Sequence, residues 1–311
     1  NIDNAEIATF ASTFSKIVIG RQEGASTSYV AGAHADDQSG QVRVGAIQAP
    51  QQYTFHNALE VYGQNIVVED FANPAFQFMV NGSVTLDAYN GISIHNQIEA
   101  HNSNMTLYAA TGAIVQSNPT GDLDGVSGEP LRALNLSLHA GSGIILPFAQ
   151  VNSLTAVNTG DGDIVINNLA RDVASGVGGD LRVDGIVQSS AQGDNIAIST
   201  SAGNLLVQGG GIATVGGGSI SLNAGGSGAA ITVDAALVAA DGAVTLGADG
   251  NVHLRDGGIA NSGGGTVSVG STSGAITLSE SIASNGGLVR LNAGAGIVMD
   301  SEGTGSHARV Q

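Results

Sequence analysis

The chain is 311 residues long, with 47 Gly, no Cys, no Trp and a formal net charge of −17 from 9 basic and 26 acidic residues. The absent cysteines exclude disulfide staples and cysteine-ligated metals. The negative balance argues against nucleic acid or anionic lipid as a partner, and no apolar run approaches the roughly 18 residues of a membrane-spanning helix.

A hydrophobic content of 42% is too high for a disordered linker. Glycine weakens a helix by about 1 kcal/mol per residue, so this glycine content points away from long helices and towards corners. The chain opens at Asn1 with no Met and no signal peptide, which leads us to expect a processed product or a piece of something longer.

Residues 1 to 16 are poorly patterned; Phe10 and Phe14 are candidates for plugging an end of a stack or packing on a preceding turn. Ile17 to Ile19 reads as a strand running into the turn Gly20-Arg21-Gln22-Glu23-Gly24. A polar loop from Ala25 to Gln41 follows, then a strand at Val42 and Val44. Residues 50 to 81 hold strand candidates at Leu59 to Val61, Ile66 to Val68 and Phe76 to Val80. For the aromatics there (Tyr53, Phe55, Phe71, Phe76 and Phe78) core filling outweighs a ligand platform. Val84 and Leu86, Ile92 and Ile94, Ile98, Met105 and Leu107, and Ile114 and Val115 then alternate with polar residues, as half-buried strands do.

Residues 117 to 131 and, more briefly, 170 to 178 interrupt this rhythm as turn-rich insertions. Leu136 and Leu138, Ile144 and Ile145, and Ile164 and Ile166 carry it between them. From Leu181 onward the pattern is tight. Pairs recur at Leu205/Val207, Ile231/Val233, Val252/Leu254 and Ile276/Leu278, with steps of 26, 21 and 24 residues. Single apolar residues recur at Ile212, Leu237, Ile259 and Ile282, and second pairs at Ile220/Leu222, Val244/Leu246, Val267/Val269 and Val289/Leu291.

Three ladders that stay in phase define a repeat of about 21–26 residues with three short strands, which is the pattern of a parallel β-solenoid. Ile231, Val252 and Ile276 are expected to stand in one column. The first half is read as the same repeat in the same order, with Ile92/Ile94 matching Ile276/Leu278, Ile98 matching Ile282, and Met105/Leu107 matching Val289/Leu291. Residues 1–311 are therefore taken as one continuous solenoid, irregular and aromatic over 1–150 and glycine-rich over 151–311. Some 13 coils stacked about 4.8 Å apart would make a rod roughly 60 Å long. Neither end shows an atypical capping repeat, so further coils or neighbouring molecules are expected there.

The run Ile17-Val18-Ile19-Gly20-Arg21-Gln22-Glu23-Gly24, followed by units such as Gly82-Ser83-Val84-Thr85-Leu86, resembles the repetitive stretches of filamentous-haemagglutinin-type bacterial surface proteins. The resemblance covers roughly residues 14 to 300. It departs at Glu23-Gly24, where that family usually carries Asp-Gly, and it lacks the family's secretion domain. It implies a right-handed parallel β-helix, export to the cell surface or extracellular space, and a rod, adhesin-shaft, filament or biofilm-matrix role. It supplies no catalytic residues. Partners implied are a second copy joined end to end or adjoining coils of one long chain, with a carbohydrate or host-surface ligand as a further possibility.

The enzymatic alternative is a carbohydrate-binding or polysaccharide-lyase-like β-helix. That chemistry needs converging carboxylates, cations and usually aromatic subsites. Here Trp is absent, the regular half has no aromatic residue, and Arg171, Arg182, Arg255 and Arg290 are scattered singly, so a non-enzymatic role is the main reading. No cofactor is expected, with calcium the one candidate. Its hard-oxygen ligands would be Asp122, Asp124 and Glu129 in the first insertion and Asp161 and Asp163 in a later corner. Solvated turn carboxylates are the commoner explanation of such clusters. His95, His101, His139 and His253 lack zinc spacing, and Asn-x-Ser/Thr triplets occur at Asn81, Asn104 and Asn135.

Overall fold

The computed structural model describes residues 14–20, 41–44, 53–68, 78–117, 130–170, 178–300 and 310. Among them there is no helix; 27 strands join in one parallel sheet system. No described helix is long and apolar enough to cross a membrane. The calcium candidates Asp122, Asp124 and Glu129, together with Phe10, Phe71 and Phe76, lie outside the described residues.

Alternation decides which residues face inward. In the strand Ile231–Val233, Ile231 and Val233 are buried and Thr232 is half-buried, and the same pattern repeats at Val252–Leu254 and Leu205–Val207. Strands pair with the strand one repeat later: Leu205–Val207 with Ile231–Val233, Ile212–Thr214 with Leu237–Ala239, and Ile220–Ala224 with Val244–Ala248. Like side chains thereby stand over like. Ile231, Val252 and Ile276 share a column as expected. That column belongs to a wall whose neighbouring inward position runs unbroken through Ile17, Leu59, Val84, Met105, Leu136, Leu154, Val183, Val207, Val233, Leu254, Leu278 and Met299. A second column runs from Ile19 through Leu107, Ala156 and Ile212 to Ile282. A third runs from Val42 through Ile92, Ile144 and Ile196 to Val289. Each buried Ile or Leu on these columns contributes about 1.5–3 kcal/mol by removal of its surface from water.

The columns correct the phase expected for the first half. Ile92 stands over the Val244, Val267 and Val289 column, not that of Ile276. Met105 and Leu107 continue to Val207 and Ile212, the first and middle ladders of the regular half, and Ile98 continues to Leu131, Ala149 and Thr200 rather than to Ile282. The physical reason lies in strand length. Early strands such as Ala58–Val68 and Val84–Ile94 run for 11 residues and carry several columns at once. A register shift between Leu154 and Thr155 then admits Asp184 opposite, and afterwards short strands of 3 to 5 residues separate the columns. Two pairings also move by one residue. Leu146, not Ile145, is the inward partner of Ile144, and Ile145 is 44% exposed. Inward of Ile114 comes the buried Gln116 rather than Val115.

One column changes character along the stack. It begins with Phe78, Ile98, Leu131 and Ala149 and continues as Asn168, Thr200, Ala224, Ala248 and Ser271. Phe55 and Phe78, buried with ring centroids 5.3 Å apart, fill the early core as expected. The later polar members turn back onto corner backbone: Thr200 donates to the Gly203 carbonyl at 2.7 Å and Ser271 to that of Gly250 at 2.6 Å. A parallel set of buried polar residues, Asn158, Gln188, Thr214, Asn261 and Ser284, serves the other corner. Where two rungs touch at a corner there is no room for a side chain. A Cβ on Gly242 would fall on the backbone of Gly218 one rung earlier. At the near end, Phe14 is 57% exposed, so it plugs nothing among the described residues.

Candidate functional site

Asp161 and Asp163 occupy one corner but answer to different partners. Asp161 Oδ1 accepts the Ser190 hydroxyl at 3.1 Å. Asp163 Oδ1 accepts both the backbone N–H and the side-chain amide of Asn195, at 2.7 and 3.2 Å. The motif then propagates: Asn195 Oδ1 accepts the Ser219 N–H at 3.0 Å, and Ser219 Oγ accepts the Ala243 N–H at 3.1 Å. Asp180, Asn204 and Asn251 do the same at another corner. A short polar side chain just before these strands thus satisfies the N–H of the rung that follows, which the ladder alone leaves unpaired. Among the described residues no group of three or more His, Asp or Glu is gathered as a metal would need. The four histidines singled out from the sequence each meet a different local partner: His95 Ser117, His101 Glu99, His139 Tyr108 and His253 Ser279.

The polar chemistry concentrates on the outside of the early rungs. Glu60 accepts from Lys16 Nζ at 2.9 Å and from the Tyr62 hydroxyl at 3.1 Å. Along the next outward position Tyr62, Asp87, Tyr108 and His139 stand over one another. Burial, then the charge and hydrogen bond of Glu60 and the charge of Asp87, pushes the Tyr62 phenol well above its usual range. Tyr108 is raised by burial and by Asp87. The rings of Tyr108 and His139 stack at 4.6 Å and 12°, and burial lowers the His139 pKa, so this imidazole stays neutral at pH 7. Tyr62 and Asp87 are buried, so it is the half-buried Tyr108 and His139 that present an O–H donor and flat ring faces. On another face Glu99, with its side chain only 5% exposed, contacts His101 Nδ1 at 2.6 Å and Arg132 Nη1 at 3.7 Å, and Arg132 donates to Gln150 at 2.7 Å. Arg132 carries the charge that a buried carboxylate requires there.

Two further outward rows precede Tyr108 and His139. Asn104, Asn135 and Ser153 form one, linked by an Asn135 to Asn104 bond of 2.7 Å and a Ser153 to Asn135 bond of 2.6 Å. Thr106, Ser137 and Thr155 form the other, all exposed. With Arg182 and Asp184 they line a shallow open groove of about 360 Å³. The Asn-x-Ser/Thr triplets at Asn104 and Asn135 were the sequence signal for these rows, since period two sends their first and third residues to the same outer face. The Glu99 pair left no such signal, because burial of an outward carboxylate is not written in local alternation.

No family model, curated protein or solved structure matches the chain.

Proposed function

We propose that the chain is a right-handed parallel β-helix with three short strands per coil, and that it serves as a non-enzymatic rod within a large bacterial cell-surface or extracellular fibrous protein. Its work is mechanical, as adhesin shaft, matrix fibre or filament. The observation that carries the reading is the inward column running without interruption from Ile17 to Met299. Every rung depends on its neighbours for its core, so length is what such a sequence builds most directly. The outer surface of the regular half supports it: its outward positions carry side chains such as Ser221, Thr232, Thr245 and Ser268.

The natural partner of such a rod is more of the same. Leu288, Ile297, Val298 and Met299 are exposed in the last described rungs, and an uncovered strand edge templates another strand. Adjoining coils of a longer chain or a second copy joined end to end would cover them. The resemblance to filamentous-haemagglutinin-type proteins supports an extracellular place for the rod.

Small-angle scattering of the purified chain tests the proposal. A skewed pair-distance distribution reaching about 60 Å or more is expected from the rung count and spacing; a symmetric distribution of a sphere would sink it. Release of unsaturated products from an acidic polysaccharide would overturn the non-enzymatic part.

A further inference from the structure

We infer that the outer face formed by Asn104–Tyr108, Asn135–His139 and Ser153–Val157 is a lateral binding strip for an extended, uncharged polysaccharide. The inference goes beyond the rod reading and does not depend on it, because it rests on one face of three adjacent rungs.

Three properties of the strip select that ligand. The first is repetition. Across the rungs an amide or hydroxyl row, a hydroxyl row and an apolar row lie side by side: Asn104, Asn135 and Ser153; Thr106, Ser137 and Thr155; Tyr108, His139 and Val157. Rungs lie about 4.8 Å apart, and rows about 6.6 Å apart along the strand. An exposed hydroxyl therefore recurs on all three rungs, with an exposed amide beside it on two of them and the buried Ser153 on the third, and this repetition suits a polymer of repeating units better than a single small molecule.

The second property is electrical. The chain as a whole is strongly acidic, at −17. Yet among the described residues the only charged side chains lining this groove are Arg182 and Asp184, which pair with each other at 3.1 Å. A polyanion would meet the general repulsion of the chain with no local cation left to bind it. An uncharged chain meets neither obstacle.

The third property is chemical. The hydroxyls of Thr106, Ser137 and Thr155 are exposed and make no hydrogen bond among the described residues, so each is available as donor and acceptor. The amide row is already fixed by its internal bonds, which lowers the ordering cost of using it. Beside these rows the stacked Tyr108–His139 pair makes a stiff apolar wall, with His139 uncharged at pH 7. A pyranose unit has the matching division, with hydroxyls around its edge and C–H groups on its faces.

The test is affinity electrophoresis of the full chain at physiological salt through gels containing laminarin, a galactomannan or polygalacturonate. Retardation by at least one of the two neutral polymers is expected. Ser137→Glu and Thr155→Glu place a charge on exposed outward positions and should each weaken that retardation at least about tenfold, about 1.4 kcal/mol in dissociation constant. Tyr108→Ala should weaken it through the wall. Thr245→Glu, at an equally exposed outward position of the regular half, should leave it unchanged. No retardation by either neutral polymer, retardation by polygalacturonate alone, or an equal loss with Thr245→Glu would each overturn the strip. The scattering profile that tests the rod is read independently of these three outcomes.

Discussion

Asn158 gives the sharpest test of how the corners are held. It is fully buried at the end of an inward column, where the flanking rungs carry Ala140 and Gln188. Its Oδ1 accepts the Gly143 N–H at 2.8 Å, and its Nδ2 donates to the carbonyls of Gly160 at 2.7 Å and Gly162 at 2.8 Å. Asn158→Ala removes these three bonds and a fourth, from Nδ2 to Gln188 Oε1 at 3.2 Å, where the Ser190 N–H still donates to that oxygen. The Gly162 carbonyl keeps a donor in Gln188 Nε2, and the half-buried Gly160 carbonyl can turn to water. The buried Gly143 N–H has no substitute, and an orphaned buried donor costs about 1–3 kcal/mol. Adding about 1 kcal/mol for the lost Gly160 bond gives a destabilisation of about 2–4 kcal/mol. Urea unfolding followed by circular dichroism measures it as a fall in midpoint at constant slope. Because stacked repeats can open locally, hydrogen exchange at Gly143 is the companion reading: its amide should lose protection before the neighbouring strand amides do. A loss below about 1 kcal/mol with Gly143 still protected would refute the idea that inward polar side chains hold the corners.

Other outcomes follow from the same geometry. Gly242→Ala drives a Cβ into the backbone of the rung before and should cost about 1–3 kcal/mol by overpacking, whereas Gly217→Ala meets nothing within 4 Å and should be near neutral; paired thermal melts decide it. Ile231→Ala, fully buried between Leu205 and Val252, should cost about 2–5 kcal/mol in urea unfolding. Burial lowers the His139 pKa, so the unfolded chain takes up its proton first as pH falls: this contribution to stability is intact above about pH 6.5 and declines from there down to the folded value, and His139→Gln should remove that part of the acid sensitivity in unfolding curves taken at pH 8 and pH 5. Asp163→Ala removes the acceptor of the Asn195 N–H and should lower the melting temperature with or without chelator, since its bonds are to backbone and amide groups; a loss of stability seen only after calcium has been added to the wild type would reinstate the metal reading.

Much of the fold was legible because period two and period twenty-odd are both written in residue order. Ile231, Val252 and Ile276 align through nothing more than apolar spacing between glycine corners. Spacing alone could not say where in the rung a segment sits. Ile92/Ile94 and Ile276/Leu278 look alike locally, and only pairing through Ile114, Ile144 and Ile164 assigns the former to another wall. Ile144-Ile145 misled for a related reason: two adjacent apolar residues hide which one faces in until the opposite strand fixes the register. The corner role of Asp163 was also hidden, because an Asp just before a strand looks the same whether it faces water, a cation or the next rung's N–H.

Inward and outward positions of a stack are under different constraints, and the difference bears on function. In a stack, inward positions are constrained by rungs above and below, so their chemistry must repeat and must be apolar or internally satisfied. Outward positions carry no such constraint, and departures from monotony there are free to encode recognition. The early rungs depart most: one row carries the buried Tyr62 and Asp87 and then the half-buried Tyr108 and His139, where the corresponding later positions are Val157, Val187 and Ala213. The core changes in step, from Phe78 and Leu131 to Asn168 and Thr200 on a single inward column. A bulky core and long strands give the early rungs a broad, stiff outer sheet, which is the support that precisely placed surface groups need. The later rungs, small in core and plain outside, extend the stack. On this reasoning recognition and length are divided between the two ends of one continuous core, and grafting the outward side chains of Asn104–Tyr108 and its two neighbours onto later rungs would fail to transfer binding unless the long strands beneath were carried with them.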